Sequence, residues 1–115
     1  MKKGYEKYME KRKMLSGKRI VGIDPAKEKH QATVLDEGGI QRGSSFTFPV
    51  SYEGYHEKLW KELRKILGNY NTDDLIFAVE TSCNLWKTIT DYLLREGYTV
   101  LLLNPLTNVC YSVRP

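Results

Sequence analysis

Ile20, Val21 and Ile23 form a short apolar run that stops at Asp24, with Pro25 directly behind it. β-Branched residues in so dense a run predict a strand over 18–24, buried on both faces of a sheet. The next residues, 25–29, read as a charged turn. From His30 to Leu35 the period changes to two, with Ala32 and Val34 alternating against Gln31 and Thr33, which predicts a second strand. Asp36-Glu37-Gly38-Gly39 is a hairpin signal, because glycine tolerates the positive φ such turns need. A third strand follows over 40–49, with Phe46 and Phe48 on one face. Pro49 suits its end, since proline gives a ladder no donor.

Over 52–67 the spacing becomes helical. Tyr52, Tyr55, Leu59, Leu63, Ile66 and Leu67 recur at three- and four-residue steps and define one apolar face, with Glu57, Lys58, Lys61, Glu62 and Lys65 mostly opposite. His56 and Trp60 flank that face as packing residues, and Gly68-Asn69 stops the helix. Leu75 to Val79 is a second dense apolar run, and it too ends in a carboxylate, Glu80. Thr81-Ser82-Cys83-Asn84 offers capping side chains to a helix over 85–96 that buries Leu85, Trp86, Ile89 and Leu93. Gly97 ends it, a strand over 98–103 follows, and the tail 106–115 has no clear period.

The element order is therefore β-β-β-α-β-α-β, an α/β fold with a mixed sheet. The first three strands suit an antiparallel meander, and the strand–helix–strand unit after them suits a right-handed parallel crossover. The first, fourth and fifth strands are the most uniformly apolar and belong at the sheet's centre. If the first and fourth are parallel neighbours, Asp24 and Glu80 end side by side on one sheet edge, where α/β sheets commonly bind ligands. Two adjacent carboxylates repel unless a positive charge lies between them. Mg²⁺ or Mn²⁺ answers that need, and a two-metal arrangement of such sites serves phosphodiester chemistry. The plainer alternative is that Asp24 caps its turn and Glu80 the following helix.

Composition narrows the class. The 115 residues are 41% hydrophobic and 28% charged, as in an ordinary single globular domain, and no apolar run reaches membrane-spanning length. Cys83 and Cys110, without metal-type spacing, point to a reduced, cytoplasmic protein. The net charge of +4 is uneven. Residues 1–19 carry eight Lys/Arg against Glu6 and Glu10, whereas the remainder is slightly acidic. Residues 1–17 thus read as a basic N-terminal arm, and Lys11, Arg12, Lys13, Lys18 and Arg19 are candidate phosphate contacts, with Lys27 beside Asp24 as another. A solvated leader fits the same charge pattern.

Gly22-Ile23-Asp24-Pro25-Ala26-Lys27, followed by Val34-Leu35-Asp36 and a glycine turn, resembles the opening of the DEDD-type bacterial transposases of the insertion-sequence 110 and Piv invertase group. Glu80-Thr81-Ser82-Cys83-Asn84-Leu85-Trp86 is similar to that family's second motif, with Ser82-Cys83 in place of Thr-Gly and Leu85 in place of an aromatic residue. Asn104-Pro105 matches its next landmark, so the resemblance covers about residues 18–110. It implies an RNase H/RuvC-like domain over 18–115 that acts on DNA, with Asp24 and Glu80 as catalytic, metal-holding acids. Mg²⁺ or Mn²⁺ is the implied cofactor, as a two-metal site in the full-length protein. Further partners it implies are a structured guide RNA and, through exposed apolar surface, a homodimer; none is a membrane. The family's last two acids lie in a Lys-Thr-Asp-x-x-Asp segment absent before Pro115, and Asp36, Asp73, Asp74 and Asp91 do not fall at their places. The expectation is a domain truncated before the distal acidic motif and inactive by itself, so whether the chain alone is an enzyme stays open.

Two other readings stand beside this one. An actin-like or sugar-kinase-like lobe also opens with a Gly-Ile-Asp strand, but the turn Pro25-Ala26-Lys27-Glu28 lacks the small, hydroxyl-rich residues of a phosphate loop. A non-catalytic module binding nucleic acid or protein through the basic arm would keep its salt-sensitive binding without Asp24 and Glu80.

Overall fold

The computed structural model describes residues 18–104, 106–107 and 109–115. The arm expected over 1–17, including Lys11, Arg12 and Lys13, lies outside the described residues. Six strands, β1 (Arg19–Asp24), β2 (Lys29–Leu35), β3 (Gln41–Pro49), β4 (Leu75–Glu80), β5 (Thr99–Asn104) and β6 (Val109–Val113), form one mixed sheet in the order β3-β2-β1-β4-β5-β6. β1, β2 and β3 make the expected antiparallel meander, while β1, β4 and β5 run parallel. The apolar strands occupy the interior of the sheet, as their composition requires.

Helices α1 (Leu59–Leu67) and α2 (Lys87–Arg95) both pack on one face of the sheet. Leu59 and Leu63 of α1 and Ile89 and Leu93 of α2 are fully buried there against Val21, Ile23, Phe77 and Val79. The other face gathers a smaller buried cluster of Ile20, Leu35, Ala78, Leu101 and Leu103. Burial on both faces explains why β1 and β4 read as continuous apolar runs rather than alternating ones.

Several local expectations change. A π-helical turn, Gly54–Lys58, interrupts the helix over 52–67 and shifts its phase, so Tyr55 is buried while Tyr52 is 73% exposed. Leu85, expected in the core, is 41% exposed because 84–86 wind as a 3₁₀ turn ahead of α2. The tail is not patternless: β6 pairs antiparallel with β5, Leu103 facing Cys110 and Leu102 facing Tyr111. β6 is an edge strand whose Tyr111 and Ser112 are exposed, so no apolar alternation marks it. Asn104 begins the turn into it, its Oδ1 accepting from Leu106 N–H at 3.0 Å.

The hairpin between β2 and β3 forms as the sequence suggests. Asp36 Oδ1 accepts from Gly38 N–H and Ile40 N–H, and Gly39 takes φ +79°. Gly54 is the tightest glycine, since a Cβ built there would run into the Pro49 carbonyl oxygen. That close approach seats the π turn against the end of β3. Gly54→Ala is therefore expected to destabilise the fold by about 1–3 kcal/mol, the usual cost of overpacking. Gly38→Ala, with ordinary contact distance at the new Cβ, serves as the near-neutral comparison. Urea unfolding of both variants measures the difference.

Candidate functional site

The register of β1 on β4 sets Ile23 beside Val79, so Asp24 and Glu80 follow as neighbours at the carboxyl ends of two parallel central strands. Side chains alternate along a strand, which places both acids on the face of Ile20, Gly22 and Ala78, opposite the helices. Both are half-buried. On β2 the residue opposite Asp24 is Gln31, and on β5 the residue opposite Glu80 is Leu103. Ser82 Oγ donates to Glu80 Oε1 at 3.0 Å. Thr81 ties the same loop to β5, its N–H and Oγ1 both donating to the Leu103 carbonyl at 2.8 and 3.0 Å. These threonine and serine side chains anchor the loop rather than cap the helix, and no side-chain cap forms at the 3₁₀ turn. Cys83 sits there in an extended conformation (φ −133°), so the chain path at this point makes no demand for glycine.

The turn after Asp24 is held by a directed chain of hydrogen bonds that the sequence reading did not anticipate. Ala26 N–H donates to His30 Nδ1 at 3.1 Å, which leaves the ring proton on Nε2. Nε2–H then donates to Tyr55 Oη at 2.8 Å, and Tyr55 Oη shares a hydrogen bond with Thr88 Oγ1 at 3.1 Å. His30 is 1% exposed and packs edge-on against Phe48. Burial lowers its pKa below the usual 6.5, with the nearby Asp24 carboxylate opposing the shift. Burial likewise raises the Tyr55 phenol, partly offset by its bond to Thr88. A histidine one turn beyond an apolar strand, and a tyrosine in register with helical core positions, were the available signals.

The basic candidates are spread out. Lys27 is exposed in the turn that follows Asp24. Lys18 and Arg19 lie at the opposite end of β1, about 17 Å away at the usual rise per strand residue. Arg19 is also engaged, its Nε 2.7 Å from Glu37. The acids not assigned to the site have local work: Asp36 holds the hairpin, Asp74 closes a capping box with Asn71, and Asp91 pairs with Arg95 at 3.1 Å. Among the described residues, no three His, Cys, Asp or Glu side chains gather where they could hold a metal ion. The arrangement is thus a pair of acids. No helix of the described residues is long and apolar enough to cross a membrane.

Comparison with protein families gives one clear result. The family model of the DEDD-type transposases of insertion sequence 110, described as "Transposase", matches residues 21–112. A search of curated proteins returns no match.

The buried, neutral His30 makes stability depend on pH with a definite sign. Its folded pKa lies below the unfolded value, so at pH above about 6.5 neither state is protonated and the term vanishes. As pH falls through 6.5 the unfolded chain takes up a proton that the native ring resists, and stability drops until the lower native pKa is passed. Chemical unfolding between pH 7.5 and 5.5 should show this decline, and His30→Asn should flatten it.

Proposed function

Because this chain belongs to the DEDD-type transposase family of insertion sequence 110, we propose that it forms part of a metal-dependent, RNase H/RuvC-like domain that breaks and joins DNA phosphodiesters. Transposition and recombination of DNA are the family's general activity, and DNA is the partner that activity requires. The observation that carries the finer reading is the adjacency of Asp24 and Glu80 on parallel central strands.

The two acids fit a hard divalent cation in chemistry and placement. Both are half-buried carboxylates on one face at the strands' carboxyl ends, and oxygen donors of this kind suit Mg²⁺ or Mn²⁺. Asp24 and Glu80 would hold the ion. When bound, such an ion supplies Lewis-acid stabilisation of charge developing on phosphate oxygens. The chain's own contribution is positional. The β1–β4 ladder fixes the spacing of the carboxylates, Ser82 restrains Glu80 by donating to it, and Lys27 presents a cation from the same turn to the nucleic acid backbone. A pair of acids is a small set for phosphodiester cleavage, so the described residues by themselves are read as inactive, with further acidic ligands needed to complete the centre.

The uneven charge supports a second element of this reading, a basic segment over 1–19 that adds non-specific affinity for DNA phosphates. Structured RNA offers the same phosphate chemistry and belongs to the reading as a further partner. Self-association into a homodimer belongs to it as well.

Mn²⁺ titration followed by paramagnetic broadening of amide signals tests the metal assignment. Residues flanking Asp24 and Glu80 should broaden together, and Asp24→Asn should weaken the apparent affinity at least about tenfold. A titration that Asp24→Asn leaves unchanged would remove the metal from this site. In parallel, removing residues 1–17 should flatten the salt dependence of duplex DNA binding by about 0.9 in log–log slope per lost phosphate contact. Asp24→Asn should leave that slope alone.

A further inference from the structure

We propose that His30 is a positioning residue of the Asp24–Glu80 site, holding the turn behind Asp24 and locking it, through Tyr55, to the helix that follows Glu80. This inference rests on the site assignment above and extends it to three residues with no acidic or basic role of their own.

The placement of the groups carries the case. Ala26, the donor to His30 Nδ1, lies two residues beyond Asp24, and Thr88, the far end of the chain, is in the first turn of α2 that follows the Glu80 loop. The bonds therefore run from the loop of one acid to the helix behind the other, through Tyr55 in the π turn between them. Four separate pieces of chain meet in this way: the β1–β2 turn, the start of β2, the π turn and α2.

Packing alone does not explain the choice of residues. Phe48 and Tyr92 surround the His30–Tyr55 pair with aromatic contacts at 5.4–6.0 Å, an environment that a leucine or phenylalanine at position 30 would fill without needing partners. A buried imidazole and a buried phenol each require hydrogen bonds, and both receive them. The polar groups also give the turn direction. With Nδ1 accepting from Ala26, the imidazole has one tautomer, and its Nε2–H is directed at Tyr55 Oη. Pro25, buried next to Ala26, limits the backbone on the other side of the contact. The turn then has few ways to leave the strand end that carries Asp24, so the chain behind that acid is held as firmly as the ladder beside it.

The test uses the 115-residue chain, with Ala26 amide exchange and Mn²⁺ broadening read on the same samples. In His30→Leu, Ala26 exchange should accelerate about tenfold on loss of its acceptor. The apparent Mn²⁺ affinity should fall about tenfold, the scale of lost outer-shell support. His30→Asn, whose Oδ1 can stand where Nδ1 stood, should recover the Ala26 protection and most of the Mn²⁺ affinity. Should His30→Leu fail to fold, Tyr55→Phe keeps the ring and removes the hydroxyl that joins His30 to Thr88, and it should lower Mn²⁺ affinity with folding intact. Unchanged Ala26 exchange in a folded His30→Leu variant overturns the proposal. So does faster exchange with unchanged Mn²⁺ affinity, because the histidine would then serve the turn and not the site. If the unsubstituted chain takes up no Mn²⁺, the metal assignment fails, while the Ala26 exchange still decides whether His30 holds the turn.

Discussion

The pairing of β1 with β4 is the constraint on which the rest of the site depends. Parallel strands buried on both faces hold their register strongly, because a slip of one residue would exchange every side chain between the two faces. Here such a slip would carry Val21 and Ile23 out of the helix-covered core and drive Ile20, Gly22 and Asp24 into it. The cost of burying Asp24 without a partner among Leu59, Leu63 and Ile89 closes off that alternative. The position of the acids is thus an indirect product of apolar packing. Neither acid needs to stabilise the fold, and the sheet aims both to the same edge.

A second constraint acts across the first. The π turn sets Tyr55 inward, and Gly54 lets that turn approach the Pro49 carbonyl closely enough to do so. With the π turn in place Tyr55 lies inward at 9% exposure while Tyr52 stays outside. The irregular turn, the glycine and the buried imidazole form one unit, in which a local departure from ideal helix geometry accompanies a phenol with partners on both sides. The same helix continues into Trp60, whose Nε1 donates to Tyr92 at 2.7 Å and whose ring stacks on Tyr98. Helices α1 and α2 are therefore joined by polar as well as apolar contacts.

Much of this was legible in the chain and some was not, for physical reasons. The dense apolar runs at 20–23 and 75–79 announce central strands, and the carboxylates that end them are neighbours once those strands pair, because burial on both faces leaves a strong compositional trace. The switch from period two to period 3.6 at residue 52 marks where helical winding begins, ahead of the π turn and α1. The π turn leaves no such trace, since an added residue within one turn alters phase without altering composition, so helical spacing alone puts Tyr52 inward. β6 escaped notice because an edge strand buries little. Leu85 was assigned to the core because apolar character alone does not distinguish a 3₁₀ turn on the surface from the first turn of a helix. The His30 chain was hidden for a different reason: it joins residues 25 to 33 positions apart, and nothing in local pattern reports that they meet.

The two charged features of the molecule are also placed so that neither substitutes for the other. β1 begins at Arg19 and ends at Asp24, so the basic segment enters the sheet at the end remote from the acids. Arg19 is held there by Glu37 in an exposed pair, which contributes little to stability but occupies the guanidinium. Solvent charges about 17 Å apart, as strand geometry makes them, are separated by about two Debye lengths at physiological salt. Arg19 at that end therefore does little for the field between Asp24 and Glu80. Lys27 is the described cation in the adjoining turn, but as an exposed side chain it is strongly screened. In the proposed site a divalent ion between the carboxylates would act at contact distance. On the proposed reading the labour is divided: the basic segment would gather phosphate, and the acid pair, at the other end of β1 from Arg19, would take the cation.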